Sequence, residues 1–136
     1  MITKKKLPRG IRNNNPLNIR IGNVWLGEVR KPTDREFEQF ISMEYGLRAA
    51  FVLLRRYIRH YHLNTIEDIV KRWAPSSENN TQKYIDFVAH RMQYDAQAEI
   101  VFEDAKLMYS LVMAMAYYEC GQEIPFEKVR LGYSMA

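Results

Sequence analysis

The sequence predicts a mainly α domain of the α+β class, with a small β-hairpin lobe near its start. Three observations carry this. Apolar residues recur at helical spacing through residues 46–62, a nearly continuous apolar stretch fills 103–120, and alternation is confined to short pieces between 19 and 40. At 136 residues, 47% hydrophobic and 26% charged, the chain has the material for one globular core.

Residues 1–12 are basic and include Pro8 and Gly10, so they read as an N-terminal arm ahead of a single domain at 13–136. Asn13-Asn14-Asn15-Pro16-Leu17-Asn18 follows, with four asparagines in six positions. Asparagine side chains compete with regular backbone pairing, which predicts a shaped loop held by local hydrogen bonds. Ile19, Ile21 and Val24-Trp25 around Gly22-Asn23 suggest a short hairpin, and Phe37–Phe40 a second extended piece.

From Gly46 to His62, Leu47, Ala50, Phe51, Leu54, Tyr57, Ile58 and Tyr61 form one stripe, with Arg48, Arg55, Arg56 and Arg59 largely off it. Thr65-Ile66-Glu67-Asp68 resembles a capping box and opens a short helix that Pro75 stops. After the polar loop 74–81, Asn80 or Thr81 caps a helix whose apolar face is Tyr84, Ile85, Val88, Ala89 and Met92. Residues 103–120 predict a central helix buried on most sides, Gly121 its left-handed stop, and Pro125-Phe126 the start of a last short helix.

No apolar run reaches membrane-spanning length, and the basic start runs into Leu7-Pro8-Arg9-Gly10 rather than a signal-peptide apolar region. The expectation is synthesis in the cytoplasm. Cys120 is the single cysteine, so an internal disulfide and a Cys/His/Cys zinc cluster are excluded, and neither metal nor cofactor is expected. His60 and His62 are two apart and face different directions on a helix. The net charge of +4 favours anionic partners only weakly. Arg55, Arg56, Arg59, Lys71, Arg72 and Arg91 lie near Tyr57, Tyr61 and Trp73, but those aromatics fall on the apolar stripe, so core packing explains them and nucleic acid is not expected.

Glu119 is the candidate catalytic residue. It closes the apolar helix just before Gly121, where the negative end of the helix and an apolar environment both hold a proton more tightly, as a general acid requires. The plainer alternative is a solvated acid at a frayed helix end. Glu44 and Glu78 stand near helix starts, where the helix dipole stabilises acids; Glu78, within an asparagine-rich loop suited to sugars, is the candidate second carboxylate. A nucleophilic Cys120 is disfavoured because no histidine adjoins it in sequence.

Pro8-Arg9-Gly10-Ile11-Arg12-Asn13-Asn14-Asn15-Pro16-Leu17-Asn18-Ile19-Arg20, then Trp25-Leu26-Gly27, Phe37 to Phe40, Tyr45-Gly46-Leu47-Arg48-Ala49, Arg72 to Thr81 and Tyr84 resemble a family of small phage and prophage proteins. That family is often labelled virion structural protein and is similar to lysozyme-like cell-wall hydrolases. Its Glu-Asn-Gly matches Glu119-Cys120-Gly121, with Cys in the Asn place. The order of elements from Asn14 through Tyr84 also resembles glucosaminidases of the flagellar muramidase type, with the acid-bearing helix moved to the C-terminus.

The resemblance implies a circularly permuted lysozyme-like fold and cleavage of peptidoglycan glycan strands by a lysozyme, glucosaminidase or lytic transglycosylase chemistry. Glu119 would be the acid, Glu78 the second carboxylate, and Asn15, Asn18 and Tyr84 the substrate-positioning groups. Access to the wall would come through a holin, a virion or a secretion machine. A non-catalytic virion or wall-binding protein on the same scaffold is the alternative.

Overall fold

The computed structural model describes residues 7–76 and 80–136. Its body is helical: α1 (Arg9–Arg12), α2 (Met43–Arg59), α3 (Ile66–Trp73), α4 (Thr81–Met92), α5 (Ala105–Cys120) and α6 (Phe126–Met135). Three of the longer helices have a local cap. Thr65 accepts from Asp68 N to cap α3, Asn80 accepts from Lys83 N to cap α4, and Asp104 accepts from Leu107 N to cap α5. Gly121, at φ 69°, ends α5 in the left-handed conformation that glycine adopts without strain.

The core is one cluster. Leu47, Phe51 and Leu54 from α2, Ile66 and Ile69 from α3, Tyr84 and Ile85 from α4, and Met108, Leu111 and Met115 from α5 are all fully buried. α2 packs along α6 through Gly132, where a β-carbon would stand 2.6 Å from that of Leu47. α5 lies against α4, α6 and α1, which explains its nearly continuous apolar sequence. No helix among the described residues is long and apolar enough to cross a membrane.

The predicted hairpin at Gly22-Asn23 is not what forms. Arg20 instead bridges Phe37 and Glu28 bridges Phe40, both antiparallel, and these isolated bridges are the extended structure among the described residues. Neither Gly22 nor Asn23 adopts the positive φ that a tight two-residue hairpin turn demands, and Val24 is left 95% exposed. Within the stretch read as an N-terminal arm, residues 9–12 are ordered and docked on the lobe. They form a helical turn whose Arg9 binds Asp34 through two 2.7 Å hydrogen bonds, holding that carboxyl well below the usual range.

The asparagine loop is the hub that joins lobe and helices. Asn14 and Asn18 take left-handed backbone conformations, at φ 53° and 54°, which asparagine tolerates better than most residues. Asn13 Nδ2 donates to Asp34, and Asn14 Nδ2 donates to the Phe40 carbonyl. Gly46 lets α2 start directly against this loop, since a β-carbon there would fall 1.7 Å from the Asn14 carbonyl oxygen.

Inside the lobe, Glu38 is buried beside Glu28, and desolvation with this second acid pushes its carboxyl up to about 7 from 4.5. Unfolded chains release this proton first, so the folded state binds more protons across that window and stability falls as pH rises from about 4.5 to about 7. Thermal melts should show a loss on the order of 1–2 kcal/mol over that range, allowing for partial solvent access. In Glu38→Gln that slope should flatten. An unchanged slope would remove Glu38 as its source.

Candidate active site

Glu119 occupies the penultimate position of α5, whose last turn carries no basic residue to balance the negative helix end. Burial raises its carboxyl above the ordinary carboxylate range; hydrogen bonding from Asn18, the neighbouring Tyr84 hydroxyl and the charge of Arg20 oppose that rise. Asn18 Nδ2 donates to Glu119 Oε1 at 2.8 Å, which fixes the orientation of the carboxyl in the lining of the cleft.

One further contact fixes the end of α5 to the asparagine loop. Cys120 Sγ donates to the Pro16 carbonyl at 3.1 Å, and Gly10 leaves room for that sulfur, since a β-carbon would stand 2.6 Å from it and 2.9 Å from Asn18 Oδ1. The cysteine therefore ties the helix to the loop. Burial pushes its thiol up to about 11, which keeps it neutral and unsuited to nucleophilic attack.

Tyr84 comes up from α4 behind the acid. It is buried, stacked on Tyr118 with ring centroids 4.1 Å apart, and burial and the nearby Glu119 charge push its phenol well above the usual range. Such a hydroxyl remains protonated, with its proton near Glu119. It completes no hydrogen bond of standard length and angle in this conformation, although it stands close enough to weaken the carboxyl's hold on its proton.

These groups open onto a cleft of about 500 Å³, the size class of small-molecule sites. Asn18, Arg20, Asn23, Phe37 and Glu119 line it from the loop, lobe and α5, and Leu53, Arg56 and Tyr57 from α2. Tyr61 follows α2, and Arg72 through Pro75 complete the wall from α3 onward. Trp73 Nε1 donates to the Leu17 carbonyl at 2.9 Å, which fixes α3 to the same loop that holds Glu119.

The sequence-derived residues divide clearly. Glu119 and Asn18 meet at the cleft, with Tyr84 behind them. Asn15 is fully buried and its amide bonds to backbone groups, so its place is inside the loop. Glu78 lies outside the described residues. Glu44 sits in the first turn of α2, 3.5 Å from Lys128, where an ion pair accounts for it.

Sequence reasoning missed that arginines and aromatics share the cleft. Arg72 lies over the rings of Tyr57 and Tyr61, at 5.8 and 5.2 Å from their centroids, so aromatics and charges are not segregated as the helical stripe suggested. The available signal was the basic last turns of two helices, each next to an aromatic: Arg56-Tyr57 and Arg72-Trp73.

No protein-family model matches the chain. It is similar to a phage protein. Over 87 residues it is 47% identical to Protein P5 of Pseudoalteromonas phage PM2, a match covering 61% of this chain and 54% of that protein. The chain thus spans about half the length of the curated relative it matches. This similarity supports a phage origin.

Proposed function

We propose that this protein is a glycan-cleaving enzyme of lysozyme-like type, acting on the β-1,4 bond of peptidoglycan with Glu119 as general acid. The observation that carries the reading is the partly buried Glu119 in the lining of an open cleft, hydrogen-bonded to Asn18 and with its proton held more tightly than usual. Protonation of the glycosidic oxygen by the Glu119 carboxyl breaks the bond to the anomeric carbon, and the cation-like sugar is captured by water or by one of the substrate's own groups. Asn18 keeps the carboxyl oriented while its proton leaves.

A permuted lysozyme-like arrangement fits the same contacts, because the acid-bearing last long helix is tied back to the asparagine loop near the start of the chain. Made in the cytoplasm, the protein would reach the wall in a virion, through a holin or by a dedicated secretion route. The phage relative fits that setting.

A second reading, a non-catalytic glycan-binding protein, is favoured by one observation: among the described residues, Glu119 is the sole carboxylate lining the cleft. Purified protein incubated with peptidoglycan sacculi separates the two. Release of soluble muropeptides, with reducing or anhydro ends identified by mass spectrometry, supports the enzyme; sedimentation with sacculi without release supports the binding protein.

A further inference from the structure

The wall of the cleft formed by α2 and α3 is strongly basic. Arg56 and Arg72 both line it, both are exposed, and among the described residues neither forms an ion pair with a carboxylate. Basic residues at helix C-termini have a general explanation in the helix dipole. That explanation does not distinguish these two from their neighbours. On α2, Arg59 pairs with Glu103, and on α3, Lys71 stands 3.9 Å from Glu67. In each last turn, one cation has an acid while the other is presented to the cleft.

Arg72 is also held in place. Its guanidinium lies over Tyr57 and Tyr61, and Tyr57 packs edge-on against Trp73 with centroids 5.8 Å apart. The Trp73 bond to the Leu17 carbonyl anchors this stack. An arginine backed by aromatic rings loses little freedom on binding, and its planar fork matches a carboxylate through two parallel hydrogen bonds. Tyr61, 44% exposed, adds an apolar face beside that charge for the C–H side of a sugar.

We propose that Arg56 and Arg72 form an anion subsite in the Glu119 cleft, which takes a carboxylate carried by the glycan strand. This rests on the reading of the cleft as a glycan site and specifies its substrate: an acidic strand rather than a neutral one such as chitin. On peptidoglycan the anion is either a carboxylate of the stem peptide or, on sugars that carry no peptide, the lactyl ether carboxylate, which is amide-bonded wherever a peptide is attached. The two present the same chemistry to the guanidinium groups.

The test is sedimentation of the full chain with sacculi free of teichoic acid, before and after amidation of their carboxylates, using wild type, Arg56→Gln, Arg72→Gln and the double variant. Wild-type affinity should fall about tenfold or more on amidation. The double variant should bind native wall about that weakly and be indifferent to amidation. Sacculi whose peptides are removed by an amidase, which frees the lactyl carboxylates, assign the anion: retained binding shows that the lactyl carboxylate suffices, and lost binding selects the peptide.

Equal affinity of wild type for native and amidated wall overturns the subsite, as does a double variant that still responds to amidation. Tighter binding to a single-stranded oligonucleotide than to sacculi at equal salt also overturns it. Both side chains are exposed, so the variants should stay folded, with Arg72→Gln melting only slightly below wild type for the loss of its ring contacts. Soluble fragments measured in the same tubes report cleavage separately. Carboxylate-dependent binding without fragments upholds the subsite and removes the enzyme, and fragments without carboxylate dependence do the reverse.

Discussion

Replacing Glu119 by glutamine is expected to lower peptidoglycan cleavage by about 100- to 10,000-fold, the range for loss of a positioned general acid. The substitution is nearly isosteric. The glutamine carbonyl can still accept from Asn18 Nδ2, but the amide has no proton to give to a glycosidic oxygen. Stability should stay level or rise, because the variant no longer places a carboxylate in a site where desolvation penalises its charge. A melting temperature at or above wild type with cleavage abolished therefore identifies catalysis rather than folding. Undiminished cleavage by a folded Glu119→Gln protein would end the proposal.

The pH dependence has a fixed sign. The acid must be protonated to act, so cleavage should decline as pH rises through the Glu119 pKa, which burial sets above the ordinary value of 4.5. Asn18 hydrogen-bonds the ionised form and works against this displacement. An Asn18→Ala variant should move the alkaline limb to higher pH, provided that the loop keeps its shape.

What the sequence disclosed follows from how local each signal is. The helices were legible because apolar spacing, the caps at Thr65 and Asn80, and the stop at Gly121 act within a few residues, whereas the Asp104 cap of α5 was not singled out. The lobe was misread because Arg20 pairs with Phe37 rather than across Gly22-Asn23, a choice made by the Asp34 and asparagine-loop contacts and not by the turn dipeptide. Glu119 could be singled out from its helix end alone, but its hydrogen bond to Asn18 joins opposite ends of the chain. The placement of Arg56 and Arg72 along one cleft depends on how α2 and α3 cross, which helical periodicity does not encode. Asn15 shows the converse: the loop it belongs to was legible as polar, and its complete burial was not.

Asn15→Ala should destabilise the protein by about 3 kcal/mol or more, a large share of the roughly 5–15 kcal/mol that holds a domain together. The Asn15 side chain accepts from Ile19 N at 3.0 Å and donates to the carbonyls of Ile19 and Glu38 at 2.9 and 3.0 Å. All of this is buried, so alanine leaves backbone groups without partners and without water. Asn15→Asp separates donor from acceptor. It preserves the bond from Ile19 N but turns two N–H donors into lone pairs facing two carbonyls, so it should be at least as damaging near neutral pH and partly relieved in acid. Calorimetry should show both variants melting about 10 °C or more below wild type. A loss below about 1 kcal/mol in Asn15→Ala would mean that the loop finds other partners. Because Asn18 N bonds to the Asn15 carbonyl, the same change should loosen the residue that holds Glu119 and reduce cleavage below the melting temperature. The scaffold and the acid are thus coupled through one loop, from Asn15 to Asn18 to Glu119.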